Sequence, residues 1–251
     1  MSIDIRNIQI GKGMPKICIP ITGVTREEIR KQLIQIQDQP FDLLEWRGDF
    51  FSEIFDPNAV RQMLHEIRTD LANKPLLFTF RTKWEGGERE ISEETYEELN
   101  SFIAKTKETD LIDVELFRTP QRGKRIKKIL EAHGIKMVGS NHDFEKTPPE
   151  QELIERLETM KRDGADIPKI AVMPKRAEDV AALLNATLKF HIRYPDIPVI
   201  TMAMGNIGII SRMAGEVFGS SVTFASGAAA SAPGQIPAKN LQDILKILHK
   251  E

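Results

Sequence analysis

Eight short apolar runs recur along the chain, each bounded by polar or turn-forming residues. They begin at Lys16 (KICIPI), Phe41 (FDLLEWR), Pro75 (PLLFTFR), Leu111 (LIDVELF), Ile135 (IKMVGSN), Ile167 (IPKIAVM), Ile197 (IPVITMAM) and Ser221 (SVTFAS). Such runs read as buried strands. Between them, apolar residues fall at helical spacing: Ile29, Leu33 and Ile36 within 25–37, Tyr96, Leu99 and Ile103 within 92–107, and Leu153, Ile154, Leu157 and Met160 within 151–162. Thr25 with Glu28 forms a capping-box signal, and Ser92 stands at the head of the second segment. Strand centres recur at roughly 23 to 35 residues, about one β/α unit. This alternation predicts an α/β protein, a single (β/α)8 TIM barrel forming one domain over residues 1–251. Ahead of it, IDIRNIQI alternates Ile3, Ile5 and Ile8 imperfectly with polar residues, and Gly11 and Gly13 permit a turn. Residues 1–14 therefore read as an extension, either a short hairpin closing the barrel floor or a frayed tail.

Composition narrows the function. The 251 residues carry 35 Lys and Arg against 37 Asp and Glu, so no basic field recruits nucleic acid or acidic lipid. Small molecules or proteins are the expected partners. Cys18 is the only cysteine, which rules out an intramolecular disulfide and fits a cytoplasmic setting. No apolar run approaches the roughly 18 residues of a membrane span, and the N-terminus lacks a secretory h-region.

In a (β/α)8 barrel the chemistry sits at the C-terminal ends of the strands. Polar residues concentrate there. Glu45 and Arg47 end the second strand on one face, and Arg81 ends the third, followed by Glu85 in KWEGGERE. Asp113 and Glu115 share a face of the fourth, His142 ends the fifth, and Lys169 interrupts the sixth. Met202 and Met204 share a face of the seventh, ahead of Arg212, and SAPGQ carries Ser231 and Gln235 after the eighth. Each has a plainer reading: an ion pair for Glu45 with Arg47, a hydrogen-bond network for Asp113 with Glu115, packing for the methionines, and a snorkelling stem for Lys169.

Together they point elsewhere. An inward lysine near cationic arginines is pushed toward the neutral amine, the form that attacks carbonyls. A histidine on the neighbouring strand could then take a proton from the carbon beside an iminium. Schiff-base chemistry is the leading expectation. Of the five histidines only His142 lies at a strand end, and HExxH and H-x-H are absent, which disfavours zinc; a carboxylate-rich Mg²⁺ site stays open. MGNIG does not complete a dinucleotide fingerprint.

DVEL from Asp113 and MVGSNHD ending at Asp143 closely resemble the signature of type I 3-dehydroquinate dehydratases, the Schiff-base enzymes of the shikimate pathway. The likeness continues through LLFTFR…EGGE, ADIPKIAVMP, ISRMAGEVFGS and SAPGQI, covering the chain from Pro15 onward. The resemblance implies a homodimeric (β/α)8 barrel that dehydrates 3-dehydroquinate to 3-dehydroshikimate by syn elimination, with neither metal nor cofactor. It implies that Lys169 forms the imine, His142 is general base and acid, Glu85 holds and tunes His142, and Arg212 pairs with the substrate carboxylate. Glu45, Arg47, Arg81, Ser231 and Gln235 match positions that grip the ring hydroxyls or order a closing loop, and Met202 and Met204 match an apolar wall. Two positions depart from the pattern: Pro20 stands where some members carry serine, with Thr22 as a candidate replacement, and 226–230 (SGAAA) is uncharged where relatives can carry lysines. The chain leaves no room for the fused dehydrogenase domain some relatives carry, so a monofunctional enzyme is expected. Two alternatives remain: a class I Schiff-base aldolase, against which no clear phosphate loop follows the seventh or eighth strand, and a non-catalytic barrel that binds a carboxylated polyol or a protein.

Overall fold

The computed structural model describes residues 2–118, 120–227 and 231–249. Two short antiparallel strands, β1 (Ile3–Ile5) and β2 (Ile8–Ile10), precede eight parallel ones. The parallel strands are β3 (Lys16–Ile21), β4 (Leu43–Arg47), β5 (Leu76–Thr79), β6 (Leu111–Glu115), β7 (Lys136–Asp143), β8 (Ile167–Val172), β9 (Ile200–Ala203) and β10 (Val222–Phe224). Each of β3 to β8 pairs with the next, and β10 pairs with β3. A bridge between Val199 and Ser220 brings the ends of the sheet together, so the eight strands form a nearly closed barrel.

Helices surround it: α1 (Arg26–Ile36), α2 (Pro57–Leu71), α3 (Glu93–Thr106), α4 (Pro120–Ala132), α5 (Glu150–Arg162), α6 (Ala177–Arg193), α7 (Ile209–Met213), α8 (Gly215–Phe218) and α9 (Ala238–Leu248). The local signals act where expected. Thr25 Oγ1 accepts from the Glu28 N–H at 3.2 Å, and Ser92 Oγ accepts from Thr95 N–H at 3.1 Å, each satisfying an amide that the helix itself leaves free. The expected single helix after the seventh barrel strand is instead two short ones, α7 and α8. The break between them falls at Ala214; ahead of α7 the chain turns back on β9, where a Cβ on Gly208 would stand 2.3 Å from Ala203 O, so only glycine allows the approach. Among the described residues no helix is long and apolar enough to cross a membrane.

The two-residue period of the strands sorts the side chains into two cores. Outward residues, among them Ile19, Leu44, Trp46, Phe78, Ile112 and Ile170, pack beneath the helices. Inward residues change character with height. Cys18, Leu43, Leu77, Leu111, Val138, Ile167, Ile200 and Val222 make a dry lower layer. Two residues further along the strands stand Glu45, Thr79, Asp113, Ser140 and Lys169, all buried. The N-terminal segment resolves into the hairpin rather than the tail. Ile5 and Ile10 are buried against the dry layer, with Ile3 and Ile8 beside them, which closes the floor.

Because Ile10 is completely buried, Ile10→Ala should lower the unfolding free energy by about 3 kcal/mol. Urea unfolding checks this; a loss below about 0.5 kcal/mol would mean that the hairpin is not a plug.

Candidate active site

The polar inward layer opens into a cavity at the C-terminal ends of the strands. The eleven residues to which the resemblance gives roles line it: Glu45, Arg47, Arg81, Glu85, His142, Lys169, Met202, Met204, Arg212, Ser231 and Gln235; Asp113 and Glu115 do not. Phe144, Phe224 and Gly86, which the sequence reading did not select, line it too. Neither Pro20 nor Thr22 does; Pro20 lies within β3, paired in register with Glu45, and the Thr22 amide is spent on Gln32. Of the uncharged 226–230 segment, residues 228–230 lie outside the described residues.

Lys169 is 3 % exposed at the base of this cavity. Its surroundings differ from expectation: the groups in contact with the amine are carboxylates. Nζ donates to Asp113 Oδ2 at 3.0 Å and lies 3.7 Å from Glu45 Oε1. Phe224 presents its ring face at 4.5 Å. The arginines thought to crowd the lysine are themselves engaged by acids. Arg81 donates to Asp113 at 2.8 Å, to Glu115 at 2.9 Å and to Ser140 at 3.0 Å, with Glu85 at 3.4 Å. Arg47 makes a bidentate pair with Asp49, at 2.8 and 2.7 Å, and not with its face-mate Glu45. Glu45 accepts instead from Thr79 Oγ1 at 2.8 Å.

The acids respond to this pairing in opposite ways. Burial pushes Asp113 up, but Arg81 and then Lys169 outweigh it, holding this carboxyl well below the usual range. Glu85 goes the other way: burial and the neighbouring Glu115 raise it to about 8 against the opposition of Arg81. Burial, then Arg81 and Lys169, push His142 well down. Glu85 Oε2 accepts from the His142 backbone N–H at 2.9 Å and lies 3.0 Å from Nδ1. The two groups are coupled, so a titration belongs to the pair. Once the pair has lost its shared proton, a carboxylate at Glu85 requires Nδ1–H on His142, which leaves Nε2 with a free lone pair.

Backbone geometry delivers the pair. The 3₁₀ turn Lys83–Glu85 ends on Gly86 at φ +81°, and a Cβ there would stand 2.3 Å from the Phe144 ring. A glycine thus lets the Glu85 turn lie against the segment that follows His142. Asp49 anchors the same loop, accepting from the amides of Arg81 and Glu88 at 3.2 Å each.

Arg212 completes the site. Ser211 Oγ seats α7 by accepting from Ala203 N–H at 2.9 Å and donating to Gly208 O at 2.7 Å. The adjacent Arg212 is 1 % exposed, and its contacts are Met202 Sδ and the carbonyls of Phe224 and Pro233. Its Nε has no partner, and among the described residues no carboxylate pairs with it. Burial pulls this guanidinium down to about 10. A buried cation facing a cavity without a counter-ion is a site for an anionic group. At the rim, Gln235 ties the loop to itself: Oε1 accepts from Ser231 N–H at 2.8 Å and Nε2 donates to Ser231 Oγ at 3.1 Å.

Other nucleophiles and cavities fit less well. Cys18 is fully buried, and burial followed by Glu45 pushes its thiol up, which makes it inert. A narrow cleft between α3 and α4 is lined by neither lysine nor histidine. Among the described residues no cluster of His, Cys, Asp or Glu is arranged to hold a metal ion. The most consequential omission of the sequence reading is Asp113, weighed only as part of a structural network. Its inward parity was visible in the strand, but its contact with Lys169 crosses β7 and is not.

Fold and site define a (β/α)8-barrel enzyme whose cavity combines a buried lysine, a carboxyl–histidine pair and an uncompensated arginine. The comparisons agree on a family. The profile described as Type I 3-dehydroquinase matches residues 17–251. The chain is 47 % identical over 248 residues to the 3-dehydroquinate dehydratase of Clostridium novyi (strain NT), covering 99 % of this chain and 98 % of that one. It is 46 % identical over 250 residues to that of Syntrophotalea carbinolica, covering 100 % and 99 %. The crystal structure of the type I 3-dehydroquinate dehydratase of Clostridium difficile, with covalently modified comenic acid, superposes with a TM-score of 0.96 at 44 % identity, covering 99 % and 98 %. This chain belongs to the type I 3-dehydroquinase family.

The raised Glu85 carboxyl carries a stability signature. With a folded value of about 8 against an unfolded reference of 4.5, its contribution is fully present below the unfolded value and is lost as pH rises through 8. Wild type should therefore lose more stability between pH 5 and pH 9 than Glu85→Gln, as read by urea unfolding at both pH values. Equal losses would show that Glu85 does not hold its proton.

Proposed function

We propose that this chain dehydrates 3-dehydroquinate to 3-dehydroshikimate through an imine on Lys169, with His142 as general base and then general acid. The observation that carries this reading is the buried Lys169 amine lining one cavity with His142 and Arg212. The covalently modified ligand of the Clostridium difficile relative supports covalent chemistry in the family.

Arg212 takes the substrate carboxylate, since it is the buried cation with no acid of its own. This orients the ring so that its ketone meets Lys169. The amine sheds its proton, attacks the carbonyl carbon, and the carbinolamine loses water to give a protonated imine. The iminium occupies the place of the ammonium, and Asp113, held ionised far below neutrality, serves as counter-ion to both. The imine acidifies the adjacent C2–H. His142 Nε2, whose ring Glu85 holds through Nδ1, takes that proton and the electrons pass to an enamine. Collapse of the enamine expels the C1 hydroxyl, which leaves as water with the proton from His142. Removal and delivery by one group give a syn elimination. Hydrolysis of the product imine restores Lys169.

Glu45, Arg47 and Arg81 contact or support the ring hydroxyls, Ser231 and Gln235 order the closing loop, and Met202 and Met204 form the apolar wall. Substrate is the only small molecule required; metal and cofactor have no part in the cycle. A one-domain, homodimeric and cytoplasmic organisation belongs to the same reading. Light scattering should report twice the chain mass, and a monomer would remove the dimer from it.

The decisive experiment adds 3-dehydroquinate and then sodium borohydride, followed by peptide mass spectrometry. A reduced adduct on Lys169 is expected, absent from Lys169→Ala. His142→Ala should still give the adduct but lose at least a hundredfold in kcat, and Arg212→Ala should chiefly raise KM. Ligand binding without any adduct would favour a silent binding barrel; cleavage products would favour an aldolase.

A further inference from the structure

We propose that Asn141 and Arg156, neither of which lines the cavity, are positioning residues that lock the Glu85 carboxyl in the orientation that holds His142, and so set the pH at which the histidine becomes a base. This rests on the reading of His142 given above.

Ser140 and His142 point into the barrel, so Asn141 between them faces outward toward α5. There, Arg156 Nη1 donates to Asn141 Oδ1 at 2.7 Å. A guanidinium has only donors, so the amide oxygen must face it, and the amide nitrogen is turned the other way. That nitrogen donates to Glu85 Oε1 at 3.1 Å. Glu85 Oε2 is left for the His142 backbone N–H and Nδ1. Arg156 is itself held one turn back on α5 by Glu152, and α5 packs on β7 and β8. A continuous chain thus runs from the outer helix layer through Asn141 and Glu85 to the histidine ring.

The consequence for the proton follows from donor and acceptor roles. An N–H donated to Glu85 favours its ionised form, opposing burial and Glu115. Without Arg156 the asparagine amide can turn over and present oxygen to oxygen, which favours a protonated Glu85. The charged groups around the pair are Arg81 after β5, Asp113 and Glu115 on β6, Lys169 on β8 and Arg47 on β4. Asn141→Ala changes none of them, nor Arg156 and Glu152 behind it on α5, so that variant isolates the neutral amide, whereas Arg156→Leu also removes a charge.

The test is the NMR titration of His142 in ¹⁵N-histidine-labelled protein without substrate, with the pH profile of kcat/KM measured alongside. Asn141→Ala should move the titration of the Glu85–His142 pair up by about one pH unit. Arg156→Leu should move it the same way by less, and Arg156→Lys, which keeps a donor, should restore it. An unmoved titration in Asn141→Ala with a lowered Tm would overturn the proposal and leave Asn141 a structural contact. A titration that moves while the kcat/KM profile stays put would uphold the positioning chain and overturn the assignment of His142 as base.

Discussion

Four carboxyl groups, Glu45, Glu85, Asp113 and Glu115, share the upper barrel interior with two cations, Arg81 and Lys169. All six are almost fully buried. Charges in that setting are costly unless paired, and here the acids outnumber the bases. Arg81 carries most of the compensation, touching three of the four acids and Ser140 with one planar fork. The imbalance falls on Glu85, which Arg81 meets only at 3.4 Å and which is raised to about 8, so the Glu85–His142 pair holds a shared proton. A structural necessity of the barrel interior thereby becomes a proton-holding device next to a histidine.

The same competition explains the division between Lys169 and Arg212. Lys169 stands between the carboxylates of Asp113 and Glu45, so an iminium can take the place of an ammonium there without rearranging the network. Arg212 lies apart from that network and finds only carbonyls and a thioether. Its unfilled valence is directed at the cavity. One cation is thus equipped for covalent chemistry and the other for holding an anion, and the distinction arises from neighbours rather than from residue type.

Much of this was legible in the chain. The apolar runs and their spacing specified eight strands and the surrounding helices, and the two-residue period put Glu45 with Arg47 and Asp113 with Glu115 on inward faces. The imperfect IDIRNIQI alternation left both hairpin and tail open, because three-residue strands carry too little pattern; burial of Ile5 and Ile10 beneath the barrel decided it. The helix expected after the seventh barrel strand is interrupted at Ala214, leaving α7 and α8 in its place.

The sequence alone determined which residues exist at the strand ends and which face they take, because alternation is a local property of extended backbone. Partnership was another matter. Arg47 pairs with Asp49 and not with Glu45 on its own face, and Lys169 is met by acids from β6 and β4, strands that do not neighbour its own. Asn141, on the face of β7 opposite His142, reaches Glu85 just beyond the last β6–β7 pair, Glu115 with Ser140. These contacts are decided by closure of the barrel, which brings side chains from non-adjacent strands to one axis, and by the competition among buried charges that closure enforces.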